Sequence, residues 1–131
     1  MKKTVLVFGT FDNLHPGHIN FLQQAKKHGD VLNIVVARDA NVLKLKGRQP
    51  QQTEKTRQKK LQQLKIAQRV FLGNKNYQNR LKIIAKIRPD IICLGYDQPK
   101  LKLPKIKIVR LKSYFPQKYK SSLFAKKEKP C

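Results

Sequence analysis

The sequence predicts an α/β protein, a doubly wound sheet of five parallel strands with helices on both faces. Three observations carry this prediction. Short apolar runs recur along the chain, they are rich in Val and Ile without polar alternation, and amphipathic stretches separate most of them. Runs that are apolar on both faces suit strands covered by helices on either side, whereas half-exposed hairpin strands would alternate.

The five strands are TVLVFG (4–9), VLNIVVA (31–37), RVFLG (69–73), DIICLGY (90–96) and IKIVRL (106–111). A first helix over 16–28 places Ile19, Leu22 and Ala25 on one face, with Pro16 suited to the first helical position and Gly29 to the turn beyond. A second helix runs from near Thr53 to about Ala67, with Leu61 and Leu64 inward. A third covers 77–88, with Leu81, Ile84 and Ile87 inward and Pro89 ending it. The stretch NVLKLKGRQPQQ (41–52) reads as a polar, basic loop. DQPKLKLPK (97–105), with two prolines, also reads as a loop, where a crossover helix would be expected. The tail beyond Lys112 forms a short helix from about Ser121 in this reading.

At 131 residues the chain is expected to form a single domain over 1–131, with 112–131 as a basic C-terminal segment. Thirty Lys and Arg oppose seven Asp and Glu, a formal charge of +23. Such a field attracts polyanions and phosphorylated small molecules alike and does not define a fold. Cys93 lies within an apolar run and reads as a small core residue, and Cys131 ends the chain, so no disulfide framework is expected. No N-terminal apolar leader and no run of about 18 apolar residues is visible, and the expected location is the cytoplasm.

Chemistry concentrates in GTFDNLHPGH (9–18), which holds two of the three histidines and follows the first strand. Open α/β sheets bind ligands at the carboxyl ends of their strands. There Gly9 permits close approach of backbone or ligand, His15 precedes the helix and His18 occupies its first turn, on the same side. Both histidines would flank the free N–H groups and positive dipole end of that helix, an anion site. A zinc site would need more ligands than these two, and no Cys or Glu stands nearby; mere helix capping is the plainer alternative. Asp12 reads as a cap or brace for this loop, and His28 as a structural or surface residue.

These residues resemble the signature of the cytidylyltransferase-like nucleotidyltransferases, whose His-x-Gly-His motif opens the first helix of a Rossmann-like fold. The likeness continues through ARDANVLKLKGRQP, TEKTRQKK, RPDIICLGYDQ and, more weakly, YKSS. Within the family, KGR-P and GYDQ look most like archaeal-type FAD synthases, which transfer AMP to FMN; glycerol-3-phosphate cytidylyltransferases, which use CTP, are the near relatives.

The resemblance implies transfer of a nucleoside monophosphate from an NTP to a phosphate monoester, with release of pyrophosphate. The nucleophile is already an anion, so a chain poor in carboxylates suits the reaction, and catalysis becomes positioning and charge neutralisation. By this likeness His15, His18, Lys44 and Lys46 are catalytic. Gly9, Thr10, Phe11, Arg57, Gly95, Asp97, Ser121 and Ser122 bind the nucleotide, with Thr10 and Phe11 acting through backbone contacts. Magnesium would be held mainly by the NTP phosphates, without a set of protein ligands. The partners implied are ATP or CTP, a phosphorylated acceptor and a possible second copy of the chain.

Each reading has a plainer alternative: Lys44, Lys46 and Arg57 as solvated cations, Asp97 as a turn residue. The late motif departs from the family pattern, because KSSLFAKK places Leu123 and Phe124 where Thr and Lys are expected; Lys120 or Lys126 would then supply the charge. Two functions of other kinds remain open at this stage, a nucleotide-binding protein without catalysis and an RNA-binding module. Backbone-directed RNA binding would be nonspecific and steeply salt-dependent.

Overall fold

The computed structural model describes residues 2–76, 80–95, 98, 103 and 106–112, with the side chain of Arg80 left aside. Five parallel strands form one sheet in the order β3-β2-β1-β4-β5. They are β1 (Thr4–Gly9), β2 (Val31–Val36), β3 (Arg69–Leu72), β4 (Ile91–Leu94) and β5 (Lys107–Arg110). The helices are α1 (Pro16–Lys26), α2 (Asp39–Lys46), α3 (Glu54–Leu64) and α4 (Arg80–Ile87). From β1 the chain moves outward to β2 and β3, then returns to β1's other side for β4 and β5. The crevice between the carboxyl ends of β1 and β4 is therefore the point where strand order reverses, the usual ligand position of such sheets.

The alternation of side chains along each strand sorts the core into two layers. Val5, Val7, Leu32, Ile34, Val36 and Cys93 face α1 and α3, where Leu22, Ala25 and Leu61 meet them. Leu6, Val35, Ile92 and Leu94 face the opposite side, where Ile84 of α4 covers them. The predicted fold class, with helices on both faces, is what forms. Cys93 is fully buried in the core, and that burial pushes its thiol up to about 11.

Three expectations need correction. The stretch 41–52 is not all loop, because α2 occupies Asp39–Lys46. Asp39 in its first turn and Lys44 and Lys46 in its last complement the helix dipole, and Gly47 closes it at φ 78. Leu43 and Leu45 remain 42% and 53% exposed, so no periodic apolar face announced it. In α4 the inward stripe is Ile83, Ile84 and Ile87, while Leu81 is 50% exposed. Choosing 83/84/87 over 81/84/87 turns the helix by part of a residue step and leaves Leu81 outside. The segment 77–79 lies outside the described residues. Finally, α3 ends at Leu64, because Lys65 adopts the left-handed conformation at φ 56 and caps it.

Candidate active site

His15 and His18 are brought together by the turn from β1 into α1. His15 is the N-cap, with extended backbone, and its Nδ1 accepts a hydrogen bond from the Gly17 N–H at 3.0 Å. An accepting Nδ1 carries no proton, so the neutral imidazole bears its hydrogen on Nε2 as a donor. His18, in the first turn, stacks on His15 with ring centroids 3.9 Å apart and planes inclined by 27°. Phe11 meets His18 edge-on at 5.7 Å. Burial lowers both histidines from 6.5 to about 4; beyond burial, His15 is lowered by His18, and His18 by Lys46 against a smaller opposing pull from Asp12. The pair is therefore neutral at pH 7, held at a helix N-terminus and able to donate without carrying a charge.

The loop before α1 is held in an uncommon shape. Phe11 and Asn13 both lie at φ 52, in the left-handed region that bulky residues avoid. Gly9 is needed by the chain itself: a Cβ there would stand 2.6 Å from Cε2 of the Phe11 ring, which folds back over it. Buried Asp12 braces the loop as anticipated. Its Oδ2 accepts from the Gln51 N–H at 2.7 Å and its Oδ1 from the Gln52 N–H at 2.9 Å. Asn13 closes the same contact, its N–H donating to Gln52 Oε1 at 3.1 Å and its Nδ2 to Gln51 Oε1.

The basic residues separate into different roles. Lys46 points into the site, Nζ donating to Thr10 Oγ1 at 3.1 Å. Lys44 is exposed on α2. Two residues apart on a helix the pair diverges, so only Lys46 of the two lysines expected to be catalytic is brought to Thr10. Arg57 is fully buried. Its Nη1 donates to the Thr10 carbonyl at 2.8 Å, its Nε to the Gln52 carbonyl at 3.1 Å, and its Nη2 pairs with Asp39 Oδ1 at 2.6 Å. Arg57 thus ties β1's end, the 52 segment and α2 together. In turn the Asp39 N–H donates to Glu54 Oε1 at 2.9 Å, and Glu54 Oε2 receives Arg38 Nη1 at 2.9 Å.

Across the crevice Gln98 joins the ends of β1 and β4. Its Nε2 donates to the Phe8 carbonyl at 3.0 Å and its Oε1 accepts from the Gly95 N–H at 2.8 Å. Arg110 Nη1 then reaches the carbonyls of Gly95 at 2.7 Å and Gln98 at 2.8 Å. Sequence reasoning overlooked Gln98, Arg110 and Asp39 as parts of the site; Gln98 and Asp39 had a signal, in the quoted GYDQ and ARDAN, and Arg110 had none. Asp97, Ser121 and Ser122 lie outside the described residues, as do Lys120 and Lys126. Gly95 is buried at the end of β4. Among the described residues no group of three or more His, Cys, Asp or Glu is placed to hold a metal ion.

Comparison with known proteins places the chain in a family. The sequence pattern described as cytidylyltransferase-like matches residues 6–128. The chain belongs to that family. It is 42% identical over 120 residues to a protein named FAD synthase from Aciduliprofundum boonei, a match covering 84% of this chain and 78% of the relative. Among solved structures, a lipopolysaccharide core biosynthesis protein from Thermoplasma volcanium superposes with a TM-score of 0.77. It is 36% identical, and the match covers 87% of this chain and 99% of that one. The family, the fold and the nucleotidyltransferase class read from GTFDNLHPGH are borne out. Among the described residues no helix is long and apolar enough to cross a membrane.

Proposed function

We propose that the protein transfers AMP from ATP to FMN, giving FAD and pyrophosphate. The observation that carries this reading is the stacked, neutral His15–His18 pair at the N-terminus of α1, beside the crevice where strand order reverses. A phosphate oxygen of FMN attacks the α-phosphorus of ATP, the new P–O bond forms, and the bond to the β-phosphate oxygen breaks with its electron pair leaving on pyrophosphate. No proton need be removed from the nucleophile. His15 donates from Nε2 to phosphate oxygens as negative charge gathers in the transition state, and His18 acts beside it. Lys46, anchored at Thr10, supplies positive charge close enough to lower the His18 pKa. Arg57 acts as a positioning residue, through the Thr10 carbonyl.

Magnesium fits this donor set as an ion carried by the nucleotide. The Asp12 oxygens accept from Gln51 and Gln52 and Asp39 is paired with Arg57, so the phosphates would be its main ligands. When bound, it neutralises triphosphate charge. FMN is favoured as acceptor by the FAD synthase relative and by an exposed apolar side chain on the helix face that carries Lys46. Leu43 is three residues before Lys46 on α2, hence on the same face, and is 42% exposed. A flavin ring could pack there; a polyol phosphate would gain nothing from it. The aromatic residues Tyr96, Tyr114, Phe115 and Tyr119, first choices from the sequence for such a surface, lie outside the described residues.

The test is incubation with ATP, magnesium and FMN, with FAD followed by chromatography and pyrophosphate by a coupled assay. FAD and pyrophosphate should appear in equal amounts. CDP-glycerol formed from CTP and glycerol 3-phosphate, with no FAD, would replace this reading by the cytidylyl one; pyrophosphate release with neither pair would reject both.

The two lysines give a sharper check of geometry. Lys46→Ala should lower kcat/KM for ATP by about 10²-fold, as expected for loss of a charged group at developing phosphate charge. Lys44→Ala, whose side chain is exposed, should cost far less and act mainly on the acceptor's KM. Both variants should melt like the wild type. Equal losses from the two substitutions would put both lysines on the substrates, as the sequence reading expected.

A further inference from the structure

Outside the catalytic crevice, a cleft of about 660 Å³ opens between α4 and the β2–β3 half of the sheet. None of His15, His18, Thr10 or Lys46 lines it. Its volume lies in the range of small-molecule sites. Val31, Phe71, Ile83 and Ile87 supply an apolar lining, and Arg69, Lys82 and Lys86 supply positive charge. Among the described residues no carboxylate pairs with those three cations.

Asn33 makes this cleft more than an uncovered strip of sheet. It stands in the middle of β2, is 7% exposed and lines the cleft, and its Oδ1 is buried with no hydrogen-bond partner. On the adjacent strand Arg69 is its register partner, so both project to the same face. A buried amide oxygen without a donor is costly, and native proteins seldom keep one unless something supplies the donor. As it stands Oδ1 is sealed beneath the floor of the cleft, and a turn of the Asn33 amide about its last torsion brings it to the surface, where it would be met by a ligand supplying an N–H or O–H there, an apolar body against Phe71, and negative charge to the Arg69–Lys82–Lys86 side.

We propose that this cleft is a second binding site for a phosphorylated nitrogen heterocycle, a mononucleotide in chemical class, separate from the catalytic site. With the Asn33 amide turned outward, an exocyclic amine or ring imide donates to its Oδ1, the ring packs on Phe71, and the phosphate meets the cations. A second copy of the chain fits less well, since it carries +23 and would bring cations to cations. The chain's own residues 113–131 have the same difficulty, with five lysines against one glutamate. Single-stranded RNA usually uses a succession of aromatic platforms along a groove, and this cleft offers Phe71 alone.

The experiment is equilibrium dialysis of the full chain with labelled AMP and, in a parallel arm, with FMN. The wild type should bind, from at least one arm, an equivalent that Asn33→Leu and Lys86→Glu each weaken at least tenfold and that His18→Ala leaves intact. FAD formation at low substrate should be unchanged in Asn33→Leu and Lys86→Glu, which separates this site from the catalytic reading: either can fail while the other stands. Circular dichroism confirms folding, and Asn33→Ser replaces Asn33→Leu if the latter fails to fold. The proposal is overturned if neither ligand gives such an equivalent, or if the equivalent survives both cleft substitutions. It is equally overturned if only a single-stranded RNA oligonucleotide shows that sensitivity, or if the wild type sediments as a dimer that Lys86→Glu separates.

Discussion

His18→Ala should lower turnover by about 10²–10³-fold, with a smaller change in ATP affinity, and His15→Ala should behave alike. The reason is where the charge appears. In the ground state the triphosphate is already bound by cations, and a neutral imidazole adds little. As the bond to pyrophosphate breaks, charge shifts onto oxygens near the helix N-terminus, and a fixed Nε2–H gains most at that moment. Steady-state kinetics with pyrophosphate detection measures the ratio. Near-normal kcat in either variant would remove the histidines from the transition state.

The same burial that keeps the pair neutral gives a second reading of these variants. Both histidines titrate at about 4 in the folded chain against 6.5 when free, so between those values the unfolded state binds protons that the native state refuses. Stability contributed by this difference is complete above pH 6.5 and falls as pH drops toward 4. The melting temperature of the wild type should decline over that window, and His18→Ala should decline less. A wild-type melt that is flat from pH 7 to 4.5 would show that the pair is not held neutral.

This pair was legible from sequence because its chemistry is local: strand, glycine, proline and two histidines fall within ten residues, and one helical turn fixes their relation. The strands were legible for a similar reason, since Val and Ile on both faces admit few other structures. α2 was not, since it buries only Asn41 and Val42 and owes its end to the left-handed Gly47. Nor was Leu81's outward position, because the apolar residues of α4 allow two stripes. The bracing of the site was the least visible. Arg57 reaches Thr10 across 47 residues of sequence and Gln98 reaches Phe8 across 90, and no spacing rule encodes pairs of that separation. A basic residue in a charge-rich helix looked like a phosphate contact, and only its burial showed what else it holds.

Arg57→Ala should accordingly be a stability variant before it is a kinetic one. It strips a buried guanidinium from the carbonyls of Thr10 and Gln52 and from Asp39, whose side chain is 32% exposed, and losing the donor of these three bonds costs about 3–5 kcal/mol in all. For a chain of this size the melting temperature should fall by about 10–20 °C. Arg57→Lys restores a charge but cannot span three acceptors from one planar fork, so it should recover little stability. Pairing Arg57→Met with Asp39→Asn removes the charges together, and this double variant should melt above Arg57→Met alone, because Asp39 no longer keeps a carboxylate without its partner. A residue that simply bound phosphate would behave in the opposite way. Its loss would leave the melt unchanged, lysine would partly restore kcat/KM, and the Asp39 substitution would not rescue anything. Melting curves and kinetics on the four proteins separate the two roles, and a stable, inactive Arg57→Ala would place the guanidinium on the substrate instead of on the loop that faces it.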